Sequence, residues 1–125
     1  MTRARRALGA HGEALARRHL ESLGYEIVEQ NVRLPGGELD IVARDGSTLV
    51  FVEVRSRRTG SFGTPTESVD WRKRRRLAAL AERYLHSRRL GEVPCRFDVV
   101  GITWSAGEDS PRVDHVPGAF SLGDA

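Results

Sequence analysis

The stretch GGELDIVARDGSTLVFVEVR, residues 36–55, constrains the fold more than any other part of the chain. β-Branched and aliphatic residues dominate both halves, and Asp45-Gly46 between them is a strong hairpin signal. Two antiparallel strands are therefore expected, over 38–44 and 48–55. A loop made of Asp45-Gly46 pairs Arg44 with Ser47, Asp40 with Phe51 and Glu38 with Glu53. Facing residues share a side of the sheet, and side chains alternate along each strand. Glu38, Asp40, Glu53 and Arg55 then project to one face with Val42, Leu49 and Phe51. Leu39, Ile41, Ala43, Val50, Val52 and Val54 make the other face wholly apolar. Asp40 and Glu53 become diagonal neighbours, about 7–8 Å apart at the backbone.

Two half-buried carboxylates this close repel each other. One stays protonated, an arginine neutralises them, or a metal ion sits between them. On the hairpin alone, a structural arginine–carboxylate network and a cation site are equally good readings.

The rest of the chain supplies the frame. Residues 4–23 read as a helix with Leu8, Gly12, Leu15, Ala16, His19, Leu20 and Leu23 on one stripe and Gly24 as its stop. YEIVEQNVRL is a first strand, ended by Pro35-Gly36-Gly37. RRTGSFGTPTES reads as a mobile loop. A second helix runs from Asp70, a plausible N-cap, to Leu90, with Gly91 as its stop. CRFDVVGITW is a fourth strand and RVDHV a short fifth. The order αβββαββ, with a crossover helix between strands three and four, implies an α/β fold: a single mixed β-sheet flanked by helices. Residues 1–104 hold the core, and 105–125 form an acidic C-terminal segment carrying the last strand.

On the first helix, Glu13 stands at the edge of the apolar stripe, about 20° from Leu20 and about 60° from Ala16 on a wheel of 100° per residue. By itself it is an ordinary boundary glutamate. On the second, Leu77, Leu80 and Tyr84 follow Lys73 at helical spacing, so the chain's only lysine lies on the apolar face. A snorkelling side chain explains that placement, but a cation at a helix start opposes the macrodipole and favours a specific reason.

Residues 1–104 carry 19 Lys/Arg against 13 Asp/Glu, with clusters at Arg55, Arg57 and Arg58 and from Arg72 to Arg76. Such clusters suit a polyanion, although charge alone describes a solvated surface equally well. Cys95 is the only cysteine, which excludes an internal disulfide and fits a reducing compartment. The basic N-terminus is followed by no apolar core of a secretory signal, and no run reaches membrane-spanning length. A cytoplasmic location with no membrane partner is expected. His11, His19 and His86 lack metal-ligand partners at usable spacing, and His115 marks no evident site.

Taken in order, GAHGEALARRHLESLGYEIVEQN, GGELDIVARDGSTLVFVEVR, FGTPTESVDWRKRRRL, RFDVV and DHVPGAF resemble the YraN family of small bacterial proteins. That family is similar to the restriction-endonuclease-like superfamily, which includes archaeal Holliday junction resolvases. The resemblance implies an αβββαβ core and a PD-(D/E)XK-type site. By position, its helix acid is Glu13, its strand-two acid Asp40 and its strand-three acid Glu53. Arg55 stands where the superfamily has lysine, and Lys73 resembles a lysine that the family carries at the start of this helix. Asp98 also matches a family position and is read as structural, pairing with Arg96 or an arginine across the sheet.

The implied activity is metal-dependent phosphodiester hydrolysis on DNA in preference to RNA, with branched or recombination intermediates among the candidate substrates. Asp40, Glu53 and Glu13 are the expected ligands of Mg²⁺ or Mn²⁺, which favour hard oxygen donors. The backbone carbonyl of Val54 is a candidate third ligand, and Glu38 is either an auxiliary acid or a solvated strand start, the latter preferred. Arg55 and Lys73 are expected at the scissile phosphate, and Arg57, Arg58, Arg72, Arg74, Arg75 and Arg76 along the nucleic-acid backbone. A homodimer is a further expectation. The alternative is a non-catalytic nucleic-acid-binding protein with the same fold and basic surface.

Overall fold

The structure, a computed structural model, describes residues 3–59, 63–105 and 111–121. Helix α1 (Arg3–Ser22) leads into β1 (Glu26–Leu34), β2 (Gly37–Asp45) and β3 (Thr48–Arg58); α2 (Trp71–Ser87) crosses to β4 (Cys95–Trp104), and β5 (Arg112–Phe120) closes the order. The strands form one sheet in the order β1-β2-β3-β4-β5. β3 and β4 run parallel, and every other neighbouring pair is antiparallel.

Helix α1 covers one face of this sheet. Ala16 and Leu20 pack there on Ile41, Ala43, Val50, Val52, Val100 and Ile102. Helix α2 covers the other, setting Leu77, Leu80, Ala81 and Tyr84 on Val42, Leu49, Phe51 and Phe97. Both central strands are thus buried on two sides, which is why they read as nearly continuous apolar runs. Gly12 lets α1 lie close to the sheet, because a Cβ there would collide with Ser56 Oγ. The glycine serves packing, and it fixes the height at which Glu13 meets the strands.

The first helix ends as expected. Tyr25 N–H donates to Leu20 O and Gly24 N–H to Glu21 O, both at 3.0 Å, closing a Schellman motif with Gly24 at its left-handed position. The second begins at Asp70, whose side chain accepts from Lys73 N–H at 2.9 Å. It stops sooner than the sequence suggests. Leu90 N–H donates to Leu85 O, Arg89 N–H donates to His86 O, and Arg89 itself takes the left-handed position at φ 54°. Gly91 therefore lies beyond the cap.

The β2–β3 hairpin corrects the expected register. Its loop is Gly46-Ser47, so Asp45 pairs with Thr48, Arg44 with Leu49 and Ile41 with Val52. Gly46, at φ 61°, occupies the first central position, which a type II′ turn reserves for glycine. The paired register ends at Ile41 and Val52, so Asp40 and Glu53 come next on their strands, just beyond the last pair. The third strand also runs further than expected: Arg57 and Arg58 pair with Thr103 and Trp104, so they are strand residues. Of the segment expected to be a mobile loop, residues 60–62 lie outside the described residues.

A second correction concerns faces. Leu39 packs under α2 with Val42 and Phe51, whereas Ile41 packs under α1. Alternation therefore breaks at Asp40. Asn31, the residue across from Asp40 on β1, takes φ 51°, a left-handed conformation that asparagine tolerates better than most residues. On the other side the β2–β3 ladder ends, and Val54 N–H donates to Asp40 Oδ2 at 2.9 Å. The single acidic face expected from strict alternation is thereby split in two.

One buried polar knot ties the C-terminal strand to this frame. Asp98, with no accessible surface, accepts from His115 Nε2 (2.8 Å), Arg96 Nε (2.9 Å), Gly118 N–H (3.0 Å) and Tyr25 Oη (3.2 Å). Arg96 extends to Asp45 at 3.0 Å, and His19 Nε2 lies 3.1 Å from His115 Nδ1. The pairing of Asp98 with Arg96 is the structural role that the sequence suggested. Burial, which opposes the charged form, and the arginine, histidine and backbone donors around it leave the Asp98 carboxyl below its usual range on balance.

Candidate functional site

Asp40 is the centre of the acidic cluster. On its α1 side stand Glu13 and Glu38; carboxylate oxygens of Glu13, Glu38 and Asp40 all lie within 4.8 Å of one another. With its nitrogen turned toward them, the Asn31 amide donates to Glu13 Oε2 and Glu38 Oε1, each at 3.1 Å. On the α2 side, Glu53 is buried, near enough to Asp40 to feel its charge. Lys73 Nζ reaches Glu53 Oε1 at 3.8 Å across the apolar face of the helix. The lysine predicted from helical spacing thus arrives at the carboxylate predicted from the hairpin.

Burial pushes the Glu13 carboxyl up to about 7, with the charges of Asp40 and Glu38 adding to the effect. Burial and then the neighbouring Asp40 raise Glu53 also, against a smaller opposing pull from Lys73. Glu13, Glu38 and Asp40 therefore form a group of oxygen donors that could hold a cation, with Glu53 and its Lys73 partner on the other side of Asp40. An all-oxygen donor set of mixed burial suits Mg²⁺ or Mn²⁺.

This strain has a measurable sign. Glu13 and Glu53 hold protons more tightly in the folded protein than their ordinary value of 4.5, so their contribution is present below about pH 4.5 and is lost as pH rises through the folded values. In chelator, Glu53→Gln is expected to raise the melting temperature at pH 8 by about 3–6 °C, the shift for roughly 1 kcal/mol in a domain of this size. The gain should shrink toward pH 5. Thermal melts at the two pH values check it, and an equal shift at both would refute the electrostatic origin.

Arg55, in the place of the superfamily lysine, donates from Nε to Ser68 Oγ at 3.0 Å and from Nη2 toward Ser68 O at 3.5 Å. It is anchored to the turn before α2 while remaining near enough to act on Glu53. Arg57 is drawn to Thr103 Oγ1 and Gly63 O, and Arg58 is exposed at the end of β3. Arg74 donates to Val69 O at 2.9 Å and lies over Phe120, which gives it a packing role. Arg72, Arg75 and Arg76 are exposed on the first turns of α2.

Two participants escaped the sequence reading. Glu38 reads from the sequence as an auxiliary acid or, by preference, a solvated strand start, and the structure puts it in the cluster. Asn31 gave one usable signal: asparagine is depleted in strands.

A five-stranded mixed sheet with α1 and α2 on opposite faces, and acids from α1 and β2 clustered together, define an α/β protein with a restriction-endonuclease-like core. The chain belongs to the family described as "Uncharacterised protein family UPF0102", the YraN family, which matches residues 12–102. It is 51% identical over 120 residues to a UPF0102 protein of Moorella thermoacetica, covering 96% of this chain and 100% of that one. A UPF0102 protein of Geobacter sulfurreducens is 47% identical, over 92% of this chain and 89% of its own. One from Xanthomonas oryzae is 46% identical over 99% of each. Among the described residues, no helix is long and apolar enough to cross a membrane.

Proposed function

We propose that this protein is a divalent-cation-dependent nuclease that hydrolyses phosphodiester bonds in DNA, with branched or recombination intermediates among its substrates. The observation that carries the proposal is the cluster of Glu13, Glu38 and Asp40, with the buried Glu53 and its partner Lys73 on the other side of Asp40. In this reading Asp40 would hold Mg²⁺ or Mn²⁺ with Glu13 and Glu38 from the α1 side and Glu53 from the α2 side. The bound cation supplies activation of the attacking water and stabilisation of charge on the phosphate. The Val54 backbone contributes its N–H to orienting Asp40. A cation bound there would draw the raised Glu13 carboxyl back toward its ordinary range, by offsetting the charges of Asp40 and Glu38. Lys73 and Arg55 offer cations to the phosphate oxygens; Arg55 binds anions, but a guanidinium has no acceptor for a proton.

A second reading, a nucleic-acid-binding protein without catalysis, rests on Arg55. Its hydrogen bonds to Ser68 hold the guanidinium in a structural contact where a nuclease of this class has a free lysine.

The deciding experiment joins calorimetric titration of Mn²⁺ with cleavage of a panel of linear, nicked and branched DNAs in Mn²⁺, Mg²⁺ or chelator. The nuclease reading expects Mn²⁺ binding and cleavage that chelator abolishes. Absence of both, with DNA still bound, favours the second reading.

Both readings place exposed arginines on phosphates. Replacing Arg75 and Arg76 by alanine is expected to weaken DNA binding equally across sequences. The slope of log affinity against log salt should fall by about 0.9 for each phosphate that the variant no longer neutralises. Anisotropy titrations at several salt concentrations measure that slope, and an unchanged slope would remove these residues from the interface.

A further inference from the structure

Trp71 opens helix α2 and is 59% exposed, the most exposed of the large apolar side chains among the described residues. Its indole carries two guanidinium groups: Arg72 lies 5.4 Å and Arg75 5.6 Å from the ring centroid. No acidic residue occupies the first turn of this helix, while residues 72–76 are all basic. Cations at a helix N-terminus work against the helix dipole, so this arrangement is costly for the protein alone and favourable once a polyanion arrives. We propose that Trp71 is a stacking platform for an unpaired nucleobase, and that the substrate class is nucleic acid with a single-stranded segment at the acidic site. The proposal rests on the nuclease reading for the position of the cut, and on Trp71 for the state of the strand.

The geometry gives the reason for an unpaired base. Lys73, two residues along, faces Glu53 on the sheet side. At 100° per residue, Trp71 projects from nearly the opposite side of the helix, whose width with side chains is about 10 Å. A strand whose phosphate lies near Lys73 therefore has to pass over the helix end before a base meets the indole. A base locked in duplex stacking cannot follow that path, but one on a single strand can. Arg72 or Arg75 then yields a face of the ring to the base and moves to a flanking phosphate. Every base has a π-face, so the platform selects strand state in preference to sequence.

The test measures binding in chelator, where cleavage plays no part. Wild type, Trp71→Phe and Trp71→Ala are titrated with a single-stranded oligonucleotide, the matching duplex and an abasic oligonucleotide of equal length. The chain has two tryptophans, and Trp104 Nε1 is buried, so quenching of the exposed indole provides a second readout. The expected result is quenching by the single strand, and about tenfold weaker single-strand binding for Trp71→Ala with Trp71→Phe close to wild type. Duplex and abasic affinities should not move. Equal losses on all three probes, no loss on any, or no binding by the wild type would each overturn the platform. So would displacement by polyglutamate as readily as by the single strand, which would make the surface a site for an acidic protein. Cleavage scored separately keeps the two ideas apart: stacking without cation-dependent cleavage retains the platform and ends the nuclease, and cleavage indifferent to Trp71 does the reverse.

Discussion

Asp40→Asn is expected to lower cation-dependent cleavage more than about 100-fold and to remove calorimetric Mn²⁺ binding, while leaving the protein folded and DNA affinity in chelator equal or higher. Asparagine nearly matches the shape of aspartate, and its carbonyl oxygen can still accept the Val54 N–H. What disappears is the negative charge that both sides of the cluster share. The losses follow because a neutral amide is a far poorer ligand for a hard divalent ion. The retained fold follows because Glu13 and Glu53 are both raised in part by the charge of Asp40, so removing it relieves repulsion in the metal-free protein. A melting temperature at or above wild type, together with lost cleavage, separates a site defect from misfolding. Unimpaired cleavage would refute the assignment of Asp40.

Asp98→Ala should have the largest effect on stability. The substitution strips four donor groups of a shared acceptor: the His115 ring, the Arg96 guanidinium, the Gly118 amide and the Tyr25 hydroxyl. Breaking a buried, hydrogen-bonded charge cluster by removing one partner costs about 3–5 kcal/mol. In a domain of this size that corresponds to a fall in melting temperature on the order of 10–20 °C. Below the new transition, Mn²⁺ affinity should remain near wild type, because Asp98 contacts none of the cluster acids. Denaturant melts and calorimetry on the same preparation check both halves. Lost metal binding in a folded variant would mean that the knot also shapes the site.

The parts legible from the sequence were those set by local chemistry. Gly24 and Asp70 act at the helix ends where their conformational and capping preferences placed them, and hydrophobic spacing alone brought Lys73 to the sheet. The hairpin was evident, but its loop was displaced by one residue because either Asp45-Gly46 or Gly46-Ser47 satisfies a two-residue turn. Moving the loop by one residue shifts each pairing by two, from Arg44–Ser47 to Arg44–Leu49, so Glu53 and Asp40 stayed neighbours. The rest depended on non-local structure. Nothing near Arg89 indicates that an arginine will take a left-handed cap. The exchange of faces between Leu39 and Ile41 follows from what Asn31 and Val54 do on the strands either side. His19 and His115 are 96 positions apart, and no local pattern joins them.

The bond from Val54 N–H to Asp40 also turns one backbone amide into a spectator of the chemistry. Its proton points at the carboxylate proposed to hold the cation. In an amide-resolved NMR spectrum, the Val54 resonance should therefore respond to ionisation or ligation of Asp40 more than its neighbours in the β3–β4 ladder do. It would report occupancy of the centre without a substrate, a label or a turnover.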